Sequence, residues 1–189
     1  MGYGRARAQW RAAALVVTAV ATVCCTAAPG AATTAANVLI TPGQLQLIGG
    51  TPANIGFSAT ALSGSDQSTT GLVSFDVSDA TGSGAGWRIE GSGTAFMSAS
   101  GRVLPGAGAE ILSRPTASCD TGSGCVAPID SVSYPFQLPS ETAATLFDAA
   151  AGSGMGNATV AVDFDVSLPA TTIAGTYSAT WSFTLISGP

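Results

Sequence analysis

A strict alternation of apolar and polar residues constrains the fold of this chain more than any other feature. Between positions 160 and 168, the large apolar side chains stand at every second residue: Val160, Val162, Phe164, Val166 and Leu168. Successive side chains of a β-strand point to opposite faces of its sheet, so a period of two places all five on one face. The same alternation recurs over residues 73–78 and 175–186. These patterns predict three strands, each with one buried face.

Shorter apolar runs separated by Gly, Ser, Thr and Pro predict weaker strands at residues 38–40, 45–48, 55–59, 87–96, 109–112 and 132–138. Residues 141–151 predict a helix instead, because the segment is rich in alanine, Ser140 is a suitable N-cap, and Gly152 would end it. Many short strands with at most one short helix predict an all-β, mainly antiparallel fold. We expect a single β-sandwich or distorted barrel domain.

The first 36 residues have the order of a secretory signal peptide followed by a short Ala/Thr-rich remnant. Arg5, Arg7 and Arg11 precede an apolar run over residues 12–25, and small residues follow. The run is shorter than the roughly 20 residues that a membrane-spanning helix needs. We therefore expect a secreted protein whose mature chain, residues 37–189, is one β domain without a membrane span.

The four cysteines fall into two groups. Cys24 and Cys25 lie in the apolar run and either leave with the signal peptide or, as an alternative, provide a lipid anchor. Cys119 and Cys125 remain in the mature chain, where an oxidising compartment favours a disulfide between them. Closing so short a loop would stabilise the fold by about 2 to 3 kcal/mol.

Two absences from the sequence exclude much of common enzyme chemistry. The chain has no His, and all six of its basic residues are Arg. It therefore has no Ser-His-Asp or Cys-His nucleophile and no Schiff-base lysine, and we expect a non-enzymatic protein without a metal or cofactor. After residue 36, three arginines stand against all eleven acidic residues. Nucleic acids and anionic membrane surfaces are therefore unsuitable partners.

Two tryptophan-containing segments lie near opposite ends of the predicted domain. Residues 73–89 comprise a strand, an Asp-x-x-Gly loop and a Gly-Trp-x-aliphatic entry into the next strand, and residues 168–185 contain Ala-Gly-x-Tyr before a second Trp. The ordered pair resembles the WxL domain of surface proteins from Gram-positive bacteria, which has a Trp-x-Leu motif at each place. Here the motifs are Trp87-Arg88-Ile89 and Trp181-Ser182-Phe183, without Leu at either third position. The resemblance is therefore to a divergent member.

The resemblance implies a function and a set of binding residues. It implies noncovalent attachment to the cell wall through peptidoglycan. We expect an extracellular location and, as partners, peptidoglycan or another cell-wall glycan and other surface proteins. The positions that it implies for binding are Trp87, Arg88, Ile89, Trp181, Ser182 and Phe183. An alternative role for both tryptophans is core packing, because Trp and the residue two positions later share one strand face.

Two other functions remain open from the sequence. One is a structural subunit of a surface complex, which pairs an exposed sheet edge with another chain. The other is a glycan hydrolase that uses Asp163 and Asp165, whose side chains would lie about 7 Å apart on one strand face. The same two aspartates also fit an ordinary solvated strand face.

Overall fold

The computed structural model describes residues 35–105, 109–138 and 142–188. The chain divides into two units, Met1–Leu39 and Ile40–Pro189. In the first unit, residues 35–39 are exposed and have no regular secondary structure. Apart from residues 35 and 36, the predicted signal segment lies outside the described residues. Within the described ranges, no helix has the length and apolar character required to cross a membrane.

The second unit is all-β: its described residues form eleven strands and no helix. The strands are β1 Leu45–Leu47, β2 Gln67–Asp79, β3 Trp87–Gly93, β4 Met97–Ser98, β5 Ala109–Ile111, β6 Thr116–Cys119, β7 Phe136–Gln137, β8 Ala144–Ala149, β9 Gly156–Leu168, β10 Tyr177–Ser178 and β11 Trp181–Ser187. The larger sheet has the order β1-β2-β9-β5-β7, with β6 also paired to β9. A three-stranded sheet has the order β11-β3-β8, and β10 pairs with β4. Every pairing is antiparallel, which confirms the predicted fold class.

The two longest strands form the centre of the larger sheet. β2 and β9 pair along their whole length, from Gln67 opposite Leu168 to Asp79 opposite Gly156. The alternation read from the sequence matches the burial, since the apolar side chains on one face of the pair are buried. These are Val73, Phe75 and Val77 of β2 and Ala158, Val160, Val162, Phe164 and Val166 of β9. The strands predicted at 73–78 and 160–168 are confirmed.

The core lies between this face and the three-stranded sheet, in a β-sandwich-like arrangement. Phe183 of β11 contacts Phe75 across the gap, with ring centroids 5.0 Å apart in an edge-to-face arrangement. The three-stranded sheet also contributes a group of fully or almost fully buried side chains: Trp87, Ile89, Leu146, Phe147 and Ala149.

The strand predicted over residues 175–186 is divided in two. Tyr177–Ser178 pairs with β4, whereas Trp181–Ser187 pairs with β3. The interruption at residues 179–180 is where the chain passes from one partner strand to the other. The alternation of exposure nevertheless continues, with Ser178 and Thr180 exposed and Tyr177 and Trp181 partly buried.

The helix predicted over residues 141–151 is wrong. Residues 144–149 form strand β8, paired with β3, and Ser140 lies outside the described residues. The preference of alanine for a helix is worth less than 1 kcal/mol per residue, so burial of Leu146 and Phe147 and pairing with β3 outweigh it. A register shift opposite Ile89 and Glu90 gives β8 an extra residue, so two consecutive side chains face the core. This β-bulge also conceals the period of two.

The weaker strand predictions had mixed outcomes. The segments at 45–48, 87–96, 109–112 and 132–138 contain β1, β3, β5 and β7. The prediction at 38–40 is wrong, since those residues are exposed and pair with no strand. The segment 55–59 contributes only an isolated β-bridge between Phe57 and Gly71. Strands β4 and β6 were not predicted. Their two and four residues are too few for a clear alternation.

The predicted disulfide between Cys119 and Cys125 is present, with the two Cα atoms 5.5 Å apart. Cys119 ends β6, and the enclosed loop is held against the start of β9. The backbone N–H of Asp120 and the hydroxyl of Ser123 both donate to the carbonyl of Asn157, at 3.0 Å each. The disulfide therefore closes a local loop at one end of the larger sheet.

Replacing Gly154 with Ala is expected to destabilise the fold more than the same change at Gly122. Both glycines have a positive φ, which costs an L-residue about 1 to 2 kcal/mol. A Cβ at Gly154 would lie 2.6 Å from Nε1 of Trp87, whereas one at Gly122 meets nothing within 4 Å. We expect the free energy of unfolding of Gly154→Ala to fall by about 1 to 3 kcal/mol more than that of Gly122→Ala, measured by urea denaturation. Equal losses would contradict close packing around Trp87.

Candidate functional site

The first tryptophan motif belongs to the core. Trp87 is fully buried, and its Nε1–H donates a 2.9 Å hydrogen bond to the carbonyl of Gly154. Ile89 is also fully buried. Arg88 lies on the opposite face of β3, and its Nε–H donates a 2.7 Å hydrogen bond to the carboxylate of Glu90. Trp87 and Ile89 therefore have no exposed face on which a ligand could stack.

The second motif lies at the boundary between core and surface. Trp181 is partly buried and contacts four aromatic rings edge-to-face. The centroid distances are 6.1 Å to Phe57, 5.8 Å to Phe96, 4.8 Å to Phe164 and 6.4 Å to Phe183. Phe183 is buried, and Ser182 is exposed on the other face of the strand. Trp181 is thus the motif residue whose large ring adjoins the surface.

The structure does not bring the two tryptophans together. In the β3–β11 ladder, Trp181 lies opposite Gly93, whereas Trp87 lies opposite Ser187. Six residues of strand separate the two positions, which is roughly 20 Å at the usual strand rise. The six residues implied by the family resemblance therefore do not form one site.

An open pocket of about 380 Å³ adjoins Trp181, and we call it the aromatic pocket. Its walls come from a segment before β2, from Phe96 after β3, and from β10 and β11. The lining residues are Pro52, Ala53, Asn54, Ile55, Phe57, Phe96, Tyr177, Ser178, Ala179, Trp181 and Phe183. It therefore combines four partly buried aromatic rings, those of Phe57, Phe96, Tyr177 and Trp181, with the polar side chains of Asn54 and Ser178.

Two strand glycines make room for these aromatic rings. A Cβ at Gly71 of β2 would lie 2.9 Å from the ring of Phe57, and a Cβ at Gly93 of β3 would collide with the indole of Trp181. The ring of Tyr177 is held by its hydroxyl, which donates a 2.8 Å hydrogen bond to the carbonyl of Ile173. The rings of Phe57, Trp181 and Tyr177 are therefore restrained before any ligand arrives.

Sequence reasoning missed most of this pocket. It identified Trp181 and Phe183, and it placed Tyr177 on the same strand face, but it assigned no role to Asn54, Phe57 or Phe96. These residues come from parts of the chain that only folding brings together. The available signal was Gly71, the single glycine of β2, since an isolated strand glycine indicates close approach of another group.

The two aspartates considered for hydrolysis lie away from the pocket. Asp163 is exposed and Asp165 is partly exposed on the outer face of β9, opposite Leu72 and Thr70 of β2. Neither lines the aromatic pocket. In the part of the chain that the structure describes, no group of three or more His, Cys, Asp or Glu residues could hold a metal ion.

A buried carboxylate organises a separate polar network. Asp130 accepts hydrogen bonds from the hydroxyl of Tyr134 at 2.9 Å and from the backbone N–H of Asp148 at 3.1 Å. Arg114 donates to the backbone carbonyl of Asp130, and its guanidinium lies 3.9 Å from the carboxylate. Burial, followed by the hydrogen bond to Asp130 and its negative charge, raises the pKa of Tyr134 above its usual value of 10, and Arg114 partly offsets this.

Comparison with known proteins provides no relative: no family model, curated protein or solved structure matches the chain. The resemblance to the WxL domain stays a prediction from the two sequence motifs.

The raised pKa of Tyr134 predicts a loss of stability at alkaline pH. The pKa of Tyr134 is higher in the folded state than in the unfolded state. Its contribution to the free energy of unfolding is therefore fully present below pH 10 and is lost as the pH rises from 10 through the folded pKa. Tyr134→Phe should lower the free energy of unfolding at neutral pH by about 1 kcal/mol, because Asp130 loses a donor. Above pH 10 its stability should fall less steeply than that of the wild type, measured by urea denaturation at each pH. Identical slopes would contradict the prediction.

Proposed function

We propose that this protein is a secreted, non-enzymatic cell-surface protein that associates noncovalently with bacterial cell-wall peptidoglycan through the aromatic pocket. The observation that carries the proposal is the position of Trp181. Its indole packs against four aromatic neighbours and lines an open pocket that also contains Asn54 and Tyr177.

The chemistry of the pocket suits a glycan. A sugar ring has an apolar face, which stacks on an indole or phenol ring, and hydroxyl groups, which need hydrogen-bond partners. Asn54 and Ser178 are exposed at the pocket and offer an amide and a hydroxyl. All of the residues that line it are uncharged. The volume of about 380 Å³ lies within the range of small-ligand sites.

The two motifs would then have different roles. Trp181 would contact the glycan, whereas Trp87 and Ile89 would shape the core from the far end of the same ladder. One pocket of this size binds weakly. The repeating units of a wall polymer would add to retention, because a protein that leaves one unit meets the next at high local concentration.

Loss of the Asn54 amide should weaken binding to the cell wall without harming the fold. We expect saturable co-sedimentation of the purified protein with insoluble peptidoglycan. Asn54→Ala should weaken it about five- to tenfold, because one hydrogen bond is worth about 1 kcal/mol. Trp181→Ala should weaken it by more than about tenfold through the lost stacking surface.

The matched controls for this experiment are Ser182→Ala and Thr184→Ala, which lie on the opposite, exposed face of β11. Both should bind like the wild type. Circular dichroism should report the fold of each variant, since Trp181 also packs against Phe57 and Phe164. If the folded wild type does not bind, the result favours the alternative function, a structural subunit that acts by protein–protein contacts in a surface complex. If Asn54→Ala binds normally, the aromatic pocket is not the site.

The acidic charge of the chain predicts how binding should respond to salt. After residue 36 the chain has three arginines and eleven acidic residues, a formal net charge of −8, so anionic wall polymers repel the secreted protein at long range. Raising the salt concentration from about 0.05 to about 0.5 M screens that repulsion, and co-sedimentation should stay level or increase. A steep loss of binding with salt would instead indicate an attraction between opposite charges and would count against a neutral glycan as the ligand.

A further inference from the structure

Three consecutive residues, Val38, Leu39 and Ile40, are the most exposed large apolar residues in the described part of the chain. They are 84%, 87% and 83% exposed, and the next most exposed is Ile129 at 64%. They belong to no strand. We call residues 38–40 the apolar segment. Contiguous apolar surface in contact with water is unfavourable and is typical of a site that contacts another molecule.

A second open pocket, of about 530 Å³, lies between residues 58–62 and residues 172–176, and we call it the apolar pocket. Each of these segments contributes an exposed large apolar residue, Leu62 and Ile173. The other large aliphatic residues that line the pocket are Leu104, Val166 and Leu168. None of its lining residues is charged. The lining therefore favours aliphatic side chains over a charged group, which would lose its hydration without gaining a counter-charge.

One wall of the apolar pocket also has free backbone groups. Residues 59–62 form no strand and make no backbone–backbone hydrogen bond within the described ranges. An extended peptide can bind such a wall through its main-chain N–H and C=O groups while its side chains enter a pocket. Val38 and Ile40 would point to the same side of an extended chain, and both are β-branched, which favours that conformation. The apolar segment therefore matches the pocket in side-chain and main-chain chemistry.

The apolar segment is too close to β1 along the chain to reach the apolar pocket of its own molecule. Leu45 of β1 lies opposite Asp79, at one end of β2. Ten residues of β2, or roughly 33 Å of strand, separate Asp79 from Thr69, which lines the pocket. The seven residues from Val38 to Leu45 span at most about 25 Å. An apolar segment in this pocket must therefore come from a second copy.

We propose that the apolar segment of one copy binds in the apolar pocket of a second copy, so that the protein self-associates. The segment and the pocket are different surfaces of the molecule, so the contact is heterologous and further copies can add to it. Neither surface carries the acidic residues that make copies of this chain repel one another. The proposal concerns a different pocket from the peptidoglycan proposal and does not depend on it.

Sedimentation equilibrium of the purified secreted protein tests the association. The weight-average mass should rise with protein concentration between about 5 µM and about 500 µM. Leu39→Asp should weaken association at least about tenfold, because it brings a charge to the uncharged pocket. Leu112→Asp is the matched control and should associate like the wild type, since Leu112 is 56% exposed and does not line the pocket.

Three results of this experiment would overturn the proposal. They are a wild type that stays monomeric, an equal loss of association in the two aspartate variants, and an intact mass showing that the mature chain begins after Ile40. Circular dichroism should show the wild-type fold for each variant, because every substituted residue is exposed.

A mixture of two defective variants tests whether the segment and the pocket contact each other. Ala174 is exposed and lines the apolar pocket, whereas Ala170 is exposed nearby and does not line it. Ala174→Trp should fill the pocket and weaken self-association at least about tenfold, and Ala170→Trp should have no effect. An equimolar mixture of Leu39→Asp and Ala174→Trp should form dimers, because one variant keeps the pocket and the other keeps the segment. A mixture that stays monomeric would contradict the proposed contact.

A fluorescently labelled peptide of residues 37–43 tests the location. Its anisotropy should rise on binding to the Leu39→Asp protein, whose pockets are not occupied by other copies. Adding Ala174→Trp to that protein should weaken peptide binding at least about tenfold. Adding Ala53→Trp, which alters the aromatic pocket instead, should leave peptide binding unchanged. If Ala53→Trp abolishes peptide binding and Ala174→Trp does not, the apolar pocket is not the binding site.

Discussion

The ladder between β2 and β9 is the interaction on which the rest of this structure depends. Each strand has thirteen residues, and they pair in continuous register from end to end. Its buried face forms one wall of the core, while β1 attaches to β2, and β5 and β6 attach to β9. Burial of each large apolar side chain contributes about 1.5 to 3 kcal/mol, so this one pair of strands supplies much of the hydrophobic stabilisation.

A continuous series of aromatic contacts connects the buried face of this ladder to the surface. Phe75 contacts Phe183, Phe164 contacts Trp181, and Trp181 contacts Phe57 and Phe96 at the aromatic pocket. Each ring is fixed by its neighbours in the next layer. The rings that line the aromatic pocket are therefore restrained by their packing, and a ligand there would lose little entropy in ordering them.

The alternation of apolar residues predicted the fold well where strands are long and regular. β2 and β9 were recognised because a single period of two runs through them without interruption. The segment of β8 predicts a helix because its alanines favour one, and because its bulge places Leu146 and Phe147 on the core side together and so conceals the period of two. A bulge is defined by the partner strand, which local sequence does not reveal.

By itself, the amino-acid sequence determined the all-β class, the faces of the long strands and the Cys119–Cys125 disulfide. All three follow from local periodicity or from the chemistry of nearby residues. Only the tertiary structure decided that Trp87 is a core residue and that Trp181 lines a pocket, although both stand in similar motifs. It also placed Asn54 at the aromatic pocket. These outcomes depend on which distant segments cover a strand face, and that is settled by packing between the sheets rather than by any local pattern.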